Sequence, residues 1–284
     1  MKSVSVSELQ KWRFCRRAWE FSYDYEITNP SMSPTASSGI AVHDAIAKVL
    51  KGDITRKQIP GYVEQVLTKL FLNKEDMYTQ VKKFLPGALR AIAWTPDWIW
   101  KKGLEWHVEE RLEVVLIEDS DEAEGVTLKF VPDVYCIETQ YMDGIMGPPI
   151  EVTFIDIFDF KTGKKEALDY FLHSPQLTYY AVALSKLFSH LDPIIRINYI
   201  SLPTGDRDKP VEHEPWMLSV DQLKEAEEEL IEGIREVGEK ARWASRDTHC
   251  GFCDFSRICS TRMLGGDWRS VIRDDYIKRD RNYQ

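Results

Sequence analysis

Phe154-Ile155-Asp156-Ile157-Phe158-Asp159-Phe160-Lys161-Thr162-Gly163 is the stretch from which the fold can be read. Side chains alternate along a strand, so Asp159 and Lys161 share one face while Phe158 and Phe160 point to the other. A carboxylate and an ammonium group thus stand side by side over apolar packing. Upstream, Val131-Pro132-Asp133-Val134-Tyr135-Cys136 sets Asp133 on one face of a second strand, with Val134 and Cys136 opposite. If these strands pair through the 139–150 loop, Asp133 and Asp159 converge. Two neighbouring carboxylates repel unless a cation sits between them. Mg²⁺ or Mn²⁺, hard ions that favour oxygen ligands, fit there and can activate water for attack on a phosphodiester. Lys161 is then placed to stabilise transition-state charge or orient that water. An isolated Asp-x-Lys is also what a solvated strand face with an ion pair looks like, so the surroundings decide.

Moving outward, Ser5-Val6-Ser7-Glu8 has the form of a capping box, predicting a helix through about Tyr23 with Cys15 inside it. The Pro- and Ser-rich stretch Asn29 to Ser38 reads as a loop. A second helix from about Gly39 to Leu50 carries Val42, Ile46 and Val49 on one stripe, with His43 beside it. Further helices are expected near 58–72 and 76–93. From about Leu104 the period shortens to that of a strand, and Glu109 there is a further acidic candidate, though a solvated strand face is the stronger reading of it. Strands are expected at 126–138, 151–161 and 194–202, with a helix opened by Ser174-Pro175 running to about Phe188. An amphipathic helix is expected over 219–243. The order of elements predicts a single α/β domain over 1–284 with a mixed sheet. Within it, 1–103 is a helical N-terminal part, 104–205 the sheet and its helix, and 206–284 a C-terminal helix and cysteine segment.

Hydrophobic residues at 43% and charged residues at 29% give an ordinary globular balance, not a disordered one. No run of eighteen apolar residues occurs and the N-terminus lacks a signal peptide's apolar stretch, so a soluble, cytoplasmic protein without a membrane partner is expected. The net charge of −9 disfavours non-specific coating of nucleic acid. It leaves room for a nucleic-acid enzyme whose carboxylates hold metal. No phosphate-binding Gly-x-x-x-x-Gly-Lys-[Ser/Thr] loop is present, so any helicase has to be a separate partner.

The cysteines number five, an odd count that does not read as a disulfide framework in a reducing compartment. Cys250, Cys253 and Cys259 form a C-x₂-C-x₅-C run that can bind one soft metal centre but lacks a fourth ligand. Cys15, set in Lys11-Trp12-Arg13-Phe14-Cys15-Arg16-Arg17, is the candidate fourth. Four thiolates bind zinc well, although zinc sites more often use two C-x₂-C pairs. Cys136 reads as a small buried hydrophobe, and His249 as a neighbour of the cysteine run.

Asp133 with Asp159-Phe160-Lys161-Thr162-Gly163 resembles the core motif of PD-(D/E)XK nucleases, in the form common to the RecB-like branch. Gly39-Ile40-Ala41-Val42-His43 resembles that branch's helical motif, whose histidine is a metal ligand. Gln176-Leu177-Thr178-Tyr179-Tyr180 resembles its Gln-Leu-x-x-Tyr motif. Gln176 and Tyr180 are four apart on one helix face; the resemblance implies that they contact DNA or support Lys161. One departure is the 26-residue separation of Asp133 from Asp159, which asks for a long hairpin. One N-terminal cysteine plus three C-terminal ones resembles the iron–sulfur nucleases of this superfamily, among them the CRISPR-associated four-cysteine exonucleases and the AddB nuclease domain.

The resemblance covers residue 3 to about 260. It implies a restriction-endonuclease-like core with a C-terminal iron–sulfur segment and a metal site of His43, Asp133 and Asp159. It also implies a 4Fe–4S cluster on Cys15, Cys250, Cys253 and Cys259 that staples the two ends of the chain. The implied activity is that of a DNA exonuclease on single strands or ends. Its partners would be a helicase or recombination or CRISPR-adaptation proteins. The alternative is a catalytically inactive DNA-binding or adaptor protein of such a complex.

Overall fold

The computed structural model describes residues 1–29, 34–72, 76–100, 104–120, 124–143, 148–162, 175–204, 211–212, 215–239, 244–245 and 248–279. Gly163, Ser174 and the side chain of His249 fall outside them. The chain forms two compact units, one of Met1–Met32, Glu113–Phe130 and Glu227–Gln284, the other of Ser33–Leu112 and Val131–Ala226. Among the described residues no helix is long and apolar enough to cross a membrane.

The second unit is built on a mixed six-stranded sheet. Its strands lie in the order Trp216–Met217, Ile194–Leu202, Ile150–Thr162, Val134–Met142 and Trp106–Val108, with Val211–Glu212 also paired to Ile194–Leu202. Ile150–Thr162 runs antiparallel to Val134–Met142, with Val134 opposite Phe158, and parallel to Ile194–Leu202, with Asp159 opposite Tyr199. Phe154 through Phe160 are all buried, as expected of a central strand covered on both faces. Helix Ile59–Phe71 buries Ile59, Val63, Leu67 and Phe71, a strict four-residue stripe. It packs with Pro34–Leu50 and Met77–Ala93 into a core that includes Phe158, Phe160, Val134 and Cys136. Helix Pro175–Leu187 packs against Ile150–Thr162 and Ile194–Leu202.

In the first unit, Lys2–Ser5 pairs in parallel with Val126–Phe130, which lies beside Leu112–Ile117. A two-stranded ladder joins Ile27–Thr28 to Ile277–Lys278. Cys15, Ala18, Phe21, Ile27, Phe255 and Ile258 form its buried cluster, closed by Trp268 and Tyr276.

Three sequence expectations change. The helix from Ser5 is not continuous to Tyr23. It ends at Phe14, Cys15 is extended (φ −165°, ψ 114°), and a new helix Arg16–Trp19 leads into a π-helical turn. Ser5 Oγ does cap Glu8 N at 3.1 Å, but the Glu8 carboxylate accepts from Trp19 Nε1 instead of closing the box. The 126–138 strand is two strands in different sheets, because Pro132 has no N–H to give a ladder and the chain turns at Asp133. The Pro- and Ser-rich stretch contains the first turns of a helix that begins at Pro34, a residue whose fixed φ suits a helix start.

Candidate functional site

Asp133 precedes the Val134–Met142 strand and is held from three sides. His43 Nδ1 lies 3.3 Å from Asp133 Oδ2. The Phe160 backbone N–H donates to the same oxygen at 3.4 Å, and the Glu109 N–H donates to the Asp133 carbonyl at 3.0 Å. Glu109 sits in the left-handed region (φ 51°), an uncommon state for a residue other than glycine. Its side chain meets Lys51 at 3.2 Å, so it serves Asp133 through its backbone and adds no carboxylate to the site.

Asp159 lies on the neighbouring strand, with 3% of its surface exposed. Lys161 Nζ donates to its Oδ1 at 2.9 Å, from the same strand face. Its Oδ2 is buried with no hydrogen-bond partner among the described residues. An unpaired buried carboxylate oxygen is costly, and a cation is the partner such an atom best accepts. On helix Pro175–Leu187, Gln176 Nε2 donates to the Tyr180 hydroxyl at 2.9 Å. Burial pushes the Tyr180 phenol up, although the Gln176 bond opposes this, and both Asp133 and Asp159 add to the rise. Its hydroxyl is therefore in electrostatic reach of both carboxylates.

The two carboxyl groups diverge electrostatically. Desolvation would raise Asp133, but the bond and charge of His43, with Lys161 and the Phe160 N–H, outweigh it and hold the group below its ordinary value. Asp159 is raised, first by burial and then by the Asp133 charge, against the pull of Lys161. Burial would lower His43, yet Asp133 and Asp159 prevail and raise it. Two oxygens and an imidazole nitrogen are a donor set that suits Mg²⁺ or Mn²⁺. In the arrangement described, His43 is committed to Asp133 and Lys161 to Asp159. Among the described residues no three His, Cys, Asp or Glu side chains already converge as ligands of one ion.

The cysteines make a second constellation, wholly within the first unit. Cys15, Cys250, Cys253 and Cys259 line one cavity of about 330 Å³, with Phe21 and Arg17 in its wall. The extended backbone at Cys15, which interrupts the predicted helix, is the local feature of the N-terminal thiol. Beside the cavity, Glu20 accepts from Arg17 at 2.7 Å and from Arg262 at 3.4 Å, tying the N-terminal segment to the helix that carries Cys259. Cys136 is elsewhere, 2% exposed in the core of the second unit, with its thiol pushed up to about 12 by burial and by Asp156 and Glu138.

The backbone donors of Phe160 and Glu109 and the Glu20 bridge escaped the sequence reading. Backbone donors leave no trace in residue types, and Glu20 has no motif around it. No curated protein matches the chain. A family model described as the PD-(D/E)XK nuclease superfamily matches residues 3–260, a span that includes both constellations. The chain belongs to the PD-(D/E)XK nuclease superfamily.

Proposed function

We propose that this nuclease is a deoxyribonuclease that cleaves single-stranded DNA or DNA ends exonucleolytically, with Mg²⁺ or Mn²⁺ at His43, Asp133 and Asp159. We propose also that Cys15, Cys250, Cys253 and Cys259 hold a 4Fe–4S cluster. The observation that carries the catalytic reading is the buried Oδ2 of Asp159, without a hydrogen-bond partner among the described residues, one strand away from a second carboxylate, while Oδ1 of the same group accepts from Lys161. A divalent cation, when bound, supplies a lowered water pKa and neutralises phosphate charge. Asp133 and Asp159 would orient it. Lys161 brings a positive charge to the point where negative charge builds on the phosphate oxygens. Tyr180 and Gln176 provide a hydroxyl and an amide at the same site, for a phosphate oxygen or for Lys161. The preference for ends and single strands is supported by the likeness to the RecB-like branch. The cluster is supported by four thiols on one cavity of about 330 Å³ and by the likeness of the cysteine pattern to the iron–sulfur nucleases of the superfamily.

The test is cleavage by anaerobically purified protein of end-labelled single-stranded and duplex DNA, with Mn²⁺, with Mg²⁺ and with chelator. Asp159→Ala and Lys161→Ala serve as controls. Metal-dependent shortening from an end that both substitutions abolish is expected. Cleavage that survives chelator, or that survives Asp159→Ala, overturns the catalytic reading. An absorption spectrum without iron–sulfur bands overturns the cluster alone.

A further inference from the structure

Gly39 lies four residues before His43, so the two share a face of helix Pro34–Leu50. That face runs along the strand that carries Asp159 and Lys161. A Cβ built on Gly39 falls 2.5 Å from Thr162 Oγ1. One turn further on, the His43 ring meets the Phe160 ring edge-on, with centroids 6.3 Å apart. Thr162 and Phe160 are two apart and project from the same strand face. Four residues of helix advance about 6 Å and two of strand about 6.8 Å. The two contacts are therefore successive rungs of one helix-on-strand packing, and the gap at the first rung governs the second. The second rung is where His43 Nδ1 comes within 3.3 Å of Asp133 Oδ2.

We propose that Gly39 is a positioning residue of the metal site: its missing side chain lets the helix close on Thr162 and thereby places His43 at Asp133. Glycine weakens a helix interior relative to alanine, so a specific need must favour it here. The need is space. A methyl group at 39 requires roughly 1 Å more room than the contact allows, since non-bonded atoms prefer about 3.5 Å. Thr162 is β-branched and stiff at χ1, so the helix yields and carries His43 with it.

The proposal rests on reading His43, Asp133 and Asp159 as the cation site, and the test separates the two. Gly39→Ala, Thr162→Ala, the Gly39→Ala/Thr162→Ala double and a Gly39→Ala/Thr162→Val double are made in the full chain. Thermal melting, Mn²⁺ binding by calorimetry and single-turnover DNA cleavage across Mn²⁺ concentrations are measured for each. Gly39→Ala should lose about tenfold to a hundredfold in Mn²⁺ affinity and in cleavage at limiting Mn²⁺, the scale that a displacement near 1 Å produces. Adding Thr162→Ala removes the obstructing oxygen and should restore both to within threefold of Thr162→Ala alone. Adding Thr162→Val, which keeps the bulk, should not. Wild-type affinity in Gly39→Ala, or a loss that Thr162→Ala leaves in place, overturns the proposal. Where Gly39→Ala does not fold, the two doubles decide, and equal Mn²⁺ affinity in both overturns it. Wild-type protein that binds Mn²⁺ through Asp133 without cleaving DNA overturns the nuclease reading while the binding comparison still decides on Gly39. Wild-type Mn²⁺ binding unchanged by Asp133→Ala overturns the site reading and the role of Gly39 together.

Discussion

Asp133 and Asp159 carry the same carboxyl group but are shifted in opposite directions, and in the proposed metal site His43 would link their titration to metal binding. His43 is raised above its ordinary value, so its protonated form is favoured in the folded protein. Its contribution to stability is present in full below the ordinary imidazole pKa of about 6.5 and is lost as pH rises through the raised value. Asp133 is depressed, so its contribution is present above the usual carboxylate range and is lost as pH falls through the lowered value. Between those limits the imidazolium–carboxylate pair is intact. A metal ligand must be the neutral imidazole, and proton and cation therefore compete. Apparent Mn²⁺ affinity is expected to climb with pH through a window lying above about 6.5, and His43→Ala should both weaken binding and remove that step. Calorimetric titrations at a series of pH values check this; identical pH profiles for wild type and His43→Ala count against His43 as a ligand. Lys161 should behave differently. Lys161→Ala removes a charge from the reacting region and leaves the oxygen ligands in place. Single-turnover cleavage should fall by about 10²–10³-fold, as for loss of one preorganised electrostatic donor, with Mn²⁺ affinity at alkaline pH nearly unchanged. Parallel losses in rate and affinity would make Lys161 a structural partner of Asp159 only.

The Ile150–Thr162 strand holds, besides Asp159, the buried Asp156 on its other face. Asp156 stands opposite Arg196 on the parallel neighbour. It accepts from Arg196 Nε at 2.8 Å and from Asn198 Nδ2 at 3.0 Å, and the Arg196 Nη2 completes a two-pronged grip. Removing one partner of a buried pair costs about 3–5 kcal/mol. The Arg196 side chain keeps 20% exposure and has Glu138 at 3.5 Å, so about 2–3 kcal/mol is expected for Asp156→Ala. An Asp156→Leu/Arg196→Met pair should recover most of it. Urea denaturation midpoints measure both, and an unchanged midpoint for Asp156→Ala would show that the pair is energetically idle. This strand was legible because alternation places Asp159 with Lys161 on one side and the phenylalanines on the other. The Val126–Phe130 and Val134–Met142 strands were not separable, since both are apolar and only a proline marks the turn that sends them to different sheets. The Cys15 break was hidden too. Lys11, Arg13, Arg16 and Arg17 are good helix formers and no Gly or Pro marks a break among them, and Cys15 lies in one buried cluster with Phe21 and Phe255 where the backbone is extended. Of the candidate site, the side chains were readable and the backbone donors that hold Asp133 were not.

At the scale of the molecule, the named residues of each candidate site lie within one compact unit, the carboxylates in one and the thiols in the other. The thiol unit draws on both ends of the chain. A centre that binds Cys15 together with Cys250, Cys253 and Cys259 closes a loop of more than two hundred residues. In the chain-entropy account a link of that length restrains the unfolded state by about 5 kcal/mol, less whatever strain the ligation stores. That is a large share of an ordinary domain's stability of about 5–15 kcal/mol. The Ile27–Thr28 and Ile277–Lys278 ladder and the Glu20–Arg262 pair already join the same ends in the folded state. They do not constrain the unfolded chain, so they leave this effect intact. Cys15→Ala is therefore expected to lose iron and a few kcal/mol of stability together. Cys136→Ala should keep its full iron and lose only about 1 kcal/mol, because a neutral buried thiol contributes packing alone. Iron and sulfide analysis with denaturation curves, run anaerobically on both variants, distinguishes ligand from bystander. Full iron in Cys15→Ala would place the fourth ligand elsewhere, and zinc without iron in the wild type would assign the same cysteines to a zinc site.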